Sequence, residues 1–145
     1  NKKLDFVQDI PYLKNQKKLM NLKKKNHTYS IWPKFYPTSC ISVRRNFFLN
    51  FLTFLEKNKY PNLEIDARLS IFAFQKKKFS IVKKNLTNYN FDQSGITSGY
   101  KKYSALWWKK RKEAFEYLMT LNSKLKIKFY YSMDYFITRL INFFI

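Results

Sequence analysis

IDARLSIFAFQKKKFSIVKK, residues Ile65 to Lys84, is the stretch on which the reading of this chain turns. Its first half alternates. Ile65, Ala67, Leu69 and Ile71 fall on one side and Asp66, Arg68 and Ser70 on the other, the two-residue period of a half-buried strand. Its second half, QKKKFSIVKK from Gln75 to Lys84, sets lysines at both ends of an aromatic, a hydroxyl and two aliphatics, and reads as another extended piece. Such a piece is either an ordinary surface strand with solvated charges or a strand shaped to lie on a polyanion.

Composition favours the polyanion. The 145 residues are enough for one domain with a real core. They carry 29 Lys plus Arg against 9 Asp plus Glu, a formal charge of +20 with a pI near 10.0, far beyond what solubility needs. The longest uncharged apolar stretch near the middle, Asn46 to Leu55, is about half of the ~20 residues a membrane helix requires, so no membrane span is expected. Lys, Asn, Phe, Tyr and Ile dominate and Gly numbers only 2. Extremely A+T-rich coding sequences produce that skew, and they are common in mitochondria and plastids. No secretory or transit signal is visible, and the sequence opens at Asn1 without a Met; a start lying upstream and synthesis inside the organelle both stay open.

Catalytic chemistry finds no footing. Gly95 and Gly99 are too isolated for a phosphate-cradling loop. Glu64 with Asp66, and Glu113 with Glu116, read as surface charge and not as acid–base pairs. Cys40 stands alone, which excludes an internal disulfide, and with only His27 beside it there is no zinc ligand set. Cys40 reads as a small buried hydrophobe near a helix start. The expectation is a non-enzyme without cofactor, metal or small-molecule substrate.

Outward from the opening stretch, residues 1–27 hold the basic clusters Lys14 to Lys18 and Lys23 to Lys25 with no sustained period, and read as an irregular N-terminal arm. Tyr29 to Phe35 reads as a strand limited by Pro33. Pro37, Thr38 and Ser39 announce a helix carrying Val43, Phe47, Phe51, Phe54 and Leu55 and ending near Asn58. Asn85 to Gly95 is a loop or hairpin tip. Ile96 to Leu106 is expected to be extended and paired with Phe79 to Val82, followed by a helix over Lys109 to Leu121 with Ala114, Phe115, Leu118 and Leu121 inward, although SALWWKKRKEAFEYL would allow a start at Ser104. Lys124 to Tyr130 alternates as a final strand, and Met133, Phe136, Ile137, Leu140, Ile141 and Phe144 form the apolar stripe of a short C-terminal helix that needs something to dock on. The fold class is α+β, in the split β-α-β-β-α-β plan of a ferredoxin-like domain, with a long hairpin arm. The divisions are 1–27, 28–130 and 131–145.

Basic and aromatic residues interleave at FQKKKF, GYKKY, WWKKRK and KIKFYY, so that lysines can neutralise phosphates while aromatics stack on unpaired bases. The competing reading, a core of aromatics beneath a solvated lysine surface, holds for any one cluster more easily than for four at this net charge.

The order of pieces from about Thr28 to Tyr130 resembles the universal small-subunit ribosomal protein S-ten family. The run KKKFSIVK, Lys76 to Lys83, is similar to that family's basic turn and following strand; EYLMTLNSKLKIK, Glu116 to Lys128, is similar to its closing helix, turn and last strand, at matching separation. YKKY, Tyr100 to Tyr103, falls where the family carries a basic patch. The chain departs at Lys84, Asn85 and Leu86, where the family has Ser-Pro-His, and at Leu69 to Phe74, where it has a proline-rich bend. The resemblance implies a structural constituent of an organellar small ribosomal subunit, mitochondrial before plastid, binding ribosomal RNA in the head beside proteins of the S-three, S-nine and S-fourteen families. The RNA contacts expected are Arg68, Lys76, Lys77, Lys78, Lys83, Lys84, Tyr100, Lys101, Lys102, Lys109, Lys110, Arg111, Lys124, Lys126 and Lys128. The alternative is an accessory subunit of an organellar membrane complex, held to anionic lipid head groups by its basic arm and amphipathic tail.

Overall fold

The computed structural model describes residues 4–21, 35–56, 58–90 and 101–145. Within them the chain is α+β. The strands are β1 (Phe6–Asp9), β2 (Tyr12–Leu13), β3 (Lys18–Leu19), β4 (Ile41–Val43), β5 (Phe79–Val82) and β6 (Asn88–Tyr89); the helices are α1 (Arg45–Leu52), α2 (Ile65–Gln75), α3 (Ala105–Lys124) and α4 (Met133–Phe144). Two three-stranded sheets result, in the orders β4-β1-β5 and β3-β2-β6.

The segment read as an N-terminal arm supplies the middle strand of the first sheet. β1 runs antiparallel to β4, with Phe6 opposite Val43, and parallel to β5, with Phe6 opposite Phe79 and Asp9 opposite Val82. Basic clusters hide the reason, which is the short run FVQD. Phe6 is fully buried and stacks on Phe79 at 5.3 Å. Gln8 is buried too, but its amide is satisfied by the backbone of Tyr36, at 3.2 and 3.1 Å, as a buried polar group must be. Asp9 accepts from the N–H groups of Leu86 and Thr87 and from the Thr87 hydroxyl.

Ile65 to Phe74, expected to be a strand, lies in the helix α2, which runs on to Gln75. Alternation placed Ile65 inside and Arg68 outside; the helix does the reverse, leaving Ile65 50% exposed and burying the whole run Arg68 to Ala73. A segment enclosed on every side loses its amphipathic period, and the alternation was then chance. Phe47 and Phe51 of α1, with Phe54 just beyond it, pack on Phe72 at 5.3, 5.6 and 5.1 Å. Tyr117 of α3 closes another side, donating to the Arg68 carbonyl at 3.2 Å; burial pushes its phenol pKa up.

Other boundaries shift for local reasons. Thr38 to Cys40 is a short 3-10 turn leading into β4, so α1 begins only at Arg45 and ends at Leu52. Cys40 lies buried at that turn. α3 begins at Ala105 because Ser104 caps it, its hydroxyl accepting from the Trp107 N–H at 3.2 Å; Ala105 and Leu106 are therefore helical and not extended, while Ala114, Phe115, Leu118 and Leu121 face the core as expected. Lys124 to Tyr130 pairs with no described strand; Lys124 ends α3 and residues 127–130 run on without a ladder. The expected strand at 29–35 and the 96–100 part of the expected strand fall, but for Phe35, outside the described residues, while 101–104 is a turn and not extended, the Ser104 N–H donating to the Lys101 carbonyl at 3.0 Å. β5 instead has β1 as its described partner.

α4 forms where expected, capped by Ser132, but docks by its polar side. Arg111 of α3 forms an ion pair with Asp134 and donates to the Thr138 hydroxyl at 3.2 Å, and the Asn142 amide donates to the Trp108 carbonyl at 3.0 Å. Tyr135 adds an edge-on contact with Phe115. Most of the expected apolar stripe, with Phe143 and Ile145, faces outward.

Candidate nucleic-acid interface

Each described carboxylate already has a partner within the chain. Asp5 meets Arg44 and Lys78, at 3.6 and 3.1 Å. Glu56 joins Lys59 and Lys124, both at 2.8 Å. Glu64 holds Lys110, Glu116 lies 3.9 Å from Lys112, and Asp134 takes Arg111. Asp66 accepts from Thr38, and Glu113 binds the backbone and side chain of Asn62. With Asp9 tied to Leu86 and Thr87, these acids are engaged within the chain, Asp5, Glu56, Glu64, Glu116 and Asp134 on cations and Asp9, Asp66 and Glu113 on neutral donors. The remaining positive charge is left on the surface.

This divides the expected contacts. Arg68 is buried, its guanidinium donating to the carbonyls of Leu63, Glu56, Lys59 and Tyr60; it staples the loop between α1 and α2 and has no fork left for a phosphate. Arg111 is likewise buried, and Lys110 is half-buried against Glu64. Lys78 and Lys124 are exposed but ion-paired. Lys76, Lys77, Lys83, Lys84, Lys101, Lys102, Lys109, Lys126 and Lys128 are exposed, and none is the partner that any of those carboxylates takes. Tyr100 lies outside the described residues.

Two clusters that are far apart in sequence meet. A groove is lined by Phe74, Gln75, Lys77, Phe79 and Ile127, so the segment of Lys76 to Lys78 and that of Lys126 to Lys128 meet there, with Lys77 itself in the lining. Lys83 and Lys84 follow the far end of β5, about 13 Å from its start at 3.3 Å per residue. Aromatics accompany the lysines: Lys76 lies over Phe54 and Phe72 at 5.7 and 5.8 Å, Lys102 over Tyr103 at 4.6 Å, and Lys128 over Tyr130 at 5.9 Å. The interleaved clusters FQKKKF and KIKFYY already contain Lys76 to Lys78, Lys126 and Lys128 with Phe74, Phe79 and Ile127, but nothing in the sequence brings the two clusters into one groove. The missing signal is the stop of a helix at Gln75, which no glycine marks.

Among the described residues no group of His, Cys, Asp and Glu could hold a metal ion, and no helix is long and apolar enough to cross a membrane. Burial pushes the Cys40 thiol up, away from the thiolate a nucleophile needs. Comparison with known proteins returned no matching family model, no matching curated protein and no matching solved structure.

Proposed function

We propose that this chain is a non-catalytic RNA-binding protein, a structural constituent of the small subunit of an organellar ribosome, mitochondrial before plastid. In that reading it lies in the head, on small-subunit ribosomal RNA, beside proteins of the S-three, S-nine and S-fourteen families. The observation that carries the RNA-binding part is the commitment of the described carboxylates to structural partners, which leaves an exposed lysine surface with interleaved aromatics to be neutralised from outside. The ribosomal part rests on the resemblance of Lys76 to Lys83 and Glu116 to Lys128. The ferredoxin-like plan with its hairpin arm belongs to that same reading.

Co-sedimentation with small ribosomal subunits, released by high salt and not by detergent, is the expected result. Replacing Lys76, Lys77, Lys78, Lys83 and Lys84 together by Ala should weaken RNA binding and flatten its salt dependence, by roughly 0.7–0.9 unit of slope per lost phosphate contact. An unchanged slope would remove this surface from the RNA.

The outward apolar face of α4 favours a second reading, a peripheral subunit resting on anionic lipid head groups. Release by detergent instead of salt would choose it.

A further inference from the structure

α2 and α3 end in the same way at the same groove. At the end of α2 the Lys77 N–H donates to the Phe74 carbonyl and the Lys78 N–H to the Ala73 carbonyl, both at 2.9 Å, with Lys77 at φ 55°. At the end of α3 the Lys126 N–H donates to the Ser123 carbonyl at 3.1 Å and the Ile127 N–H to the Asn122 carbonyl at 2.8 Å, with Lys126 at φ 56°. This pair of bonds ordinarily turns on a glycine in the left-handed region; here both pivots are lysines. The sharp turns carry the chain from each helix end straight to the groove wall, at Phe79 and Ile127.

What the groove can take follows from its lining. The C-terminal, negative ends of α2 and α3 lie at or just before its lining residues, which disfavours a phosphate inside. Its walls are apolar, Phe74 being 49% and Ile127 38% exposed, and Gln75 offers both a donor and an acceptor. Phe79 is held in place by stacking on Phe6 and by an edge contact with Phe74 at 6.3 Å. A flat, uncharged, hydrogen-bonding group carried on an anionic chain matches all of this.

We propose that the groove bounded by Phe74, Gln75, Lys77, Phe79 and Ile127 receives one unpaired base of single-stranded RNA, stacked on Phe74, with the adjoining phosphates held by Lys77 and Lys126. The proposal rests on the RNA-binding reading above and deepens it: part of the affinity is for unpaired bases and not for phosphate density alone.

The test titrates the full chain with a labelled short oligouridine and with an RNA duplex of the same length over a range of salt. Phe74→Leu keeps apolar bulk but loses the ring face. It should weaken oligouridine on the order of tenfold with an unchanged salt slope and leave the duplex unaffected, while Phe74→Tyr binds as wild type. Lys77→Ala with Lys126→Ala, both at exposed turns, should lower the oligouridine salt slope by about 1.4 units for two lost contacts on a single strand. The proposal is overturned if folded Phe74→Leu binds oligouridine like wild type, if it loses both RNAs equally, or if the double lysine variant keeps the full slope. Absence of salt-dependent RNA binding by the wild type would instead bring down the RNA-binding reading itself.

Discussion

Five described residues other than glycine hold positive φ: Lys17, Tyr60, Lys77, Tyr103 and Lys126. A side chain in that region crowds its own backbone by roughly 1–2 kcal/mol, and proteins usually put glycine there. This chain has only 2 glycines, so its left-handed turns fall to lysines and tyrosines. Lys77→Gly and Lys126→Gly should therefore each stabilise the fold by up to ~1 kcal/mol, the greater freedom of glycine in the unfolded chain offsetting part of the gain. Urea midpoints measure it, with Lys→Ala at the same positions giving no such rise. Arg68 is the opposite case. Its guanidinium is the shared donor for four carbonyls along the loop between α1 and α2, and Arg68→Met leaves those acceptors short. A loss of about 2–4 kcal/mol is expected, because hydrogen bonds to a charged group are strong and the acceptors stay buried. RNA binding by the folded fraction should keep its salt slope; a drop of one contact would return Arg68 to the RNA.

At the scale of elements, what could be read from the sequence was the set of segments with one wet side. α3 shows Ala114, Phe115, Leu118 and Leu121 at helical spacing because its other face carries lysines, and β5 is legible because charges bracket FSIV. α2 was misread because its middle, Arg68 to Ala73, is enclosed, and consecutive buried residues offer no period to choose by; its eleven residues exceed an average strand, and that length was the better guide. Lys124 to Tyr130 alternates only in letters, since the turn at Lys126 redirects the chain after a single step. The groove was illegible for the same reason, since Phe74, Gln75 and Ile127 come from the two misread segments and only Lys77 and Phe79 from the legible one. One link between elements is open to titration. Glu56, at the end of the α1 region, is hydrogen-bonded by Lys124 at the end of α3 and by Lys59, and these hold its carboxyl down at about 2. A depressed carboxylate stabilises the fold above its unfolded value, near 4.5, and that contribution is lost as pH falls from there through about 2. The Glu56 side chain is a third exposed, so screening keeps the effect below ~1 kcal/mol. Glu56→Gln should be slightly less stable at pH 7 and show a shallower loss of stability between pH 4.5 and 2; a parallel acid profile would mean the link is idle.

For the whole molecule, charge and apolar surface act against each other, and salt decides between them. Met133, Phe136, Leu140, Phe143 and Phe144 are 74, 53, 61, 83 and 78% exposed on one end of a chain of formal charge +20. At low ionic strength the mutual repulsion of such chains opposes contact between these faces, whereas at 1 M salt the screening length shrinks to about 3 Å and the apolar attraction is left unopposed. The free protein should thus be monomeric in dilute salt and self-associate as salt rises, while its affinity for RNA falls over the same range. Deleting the chain beyond Ser132 is a poor test of this, because it removes Asp134 and strands the buried guanidinium of Arg111. Leu140→Ser with Phe143→Ser is the cleaner change: neither side chain is buried, and the anchors Asp134, Tyr135, Thr138 and Asn142 are untouched. Sedimentation velocity should show wild type growing in mass with salt and the double variant staying monomeric, with equal thermal midpoints. If the double variant associates as wild type does, the cohesive surface lies elsewhere and the outward face of α4 is ordinary exposed surface.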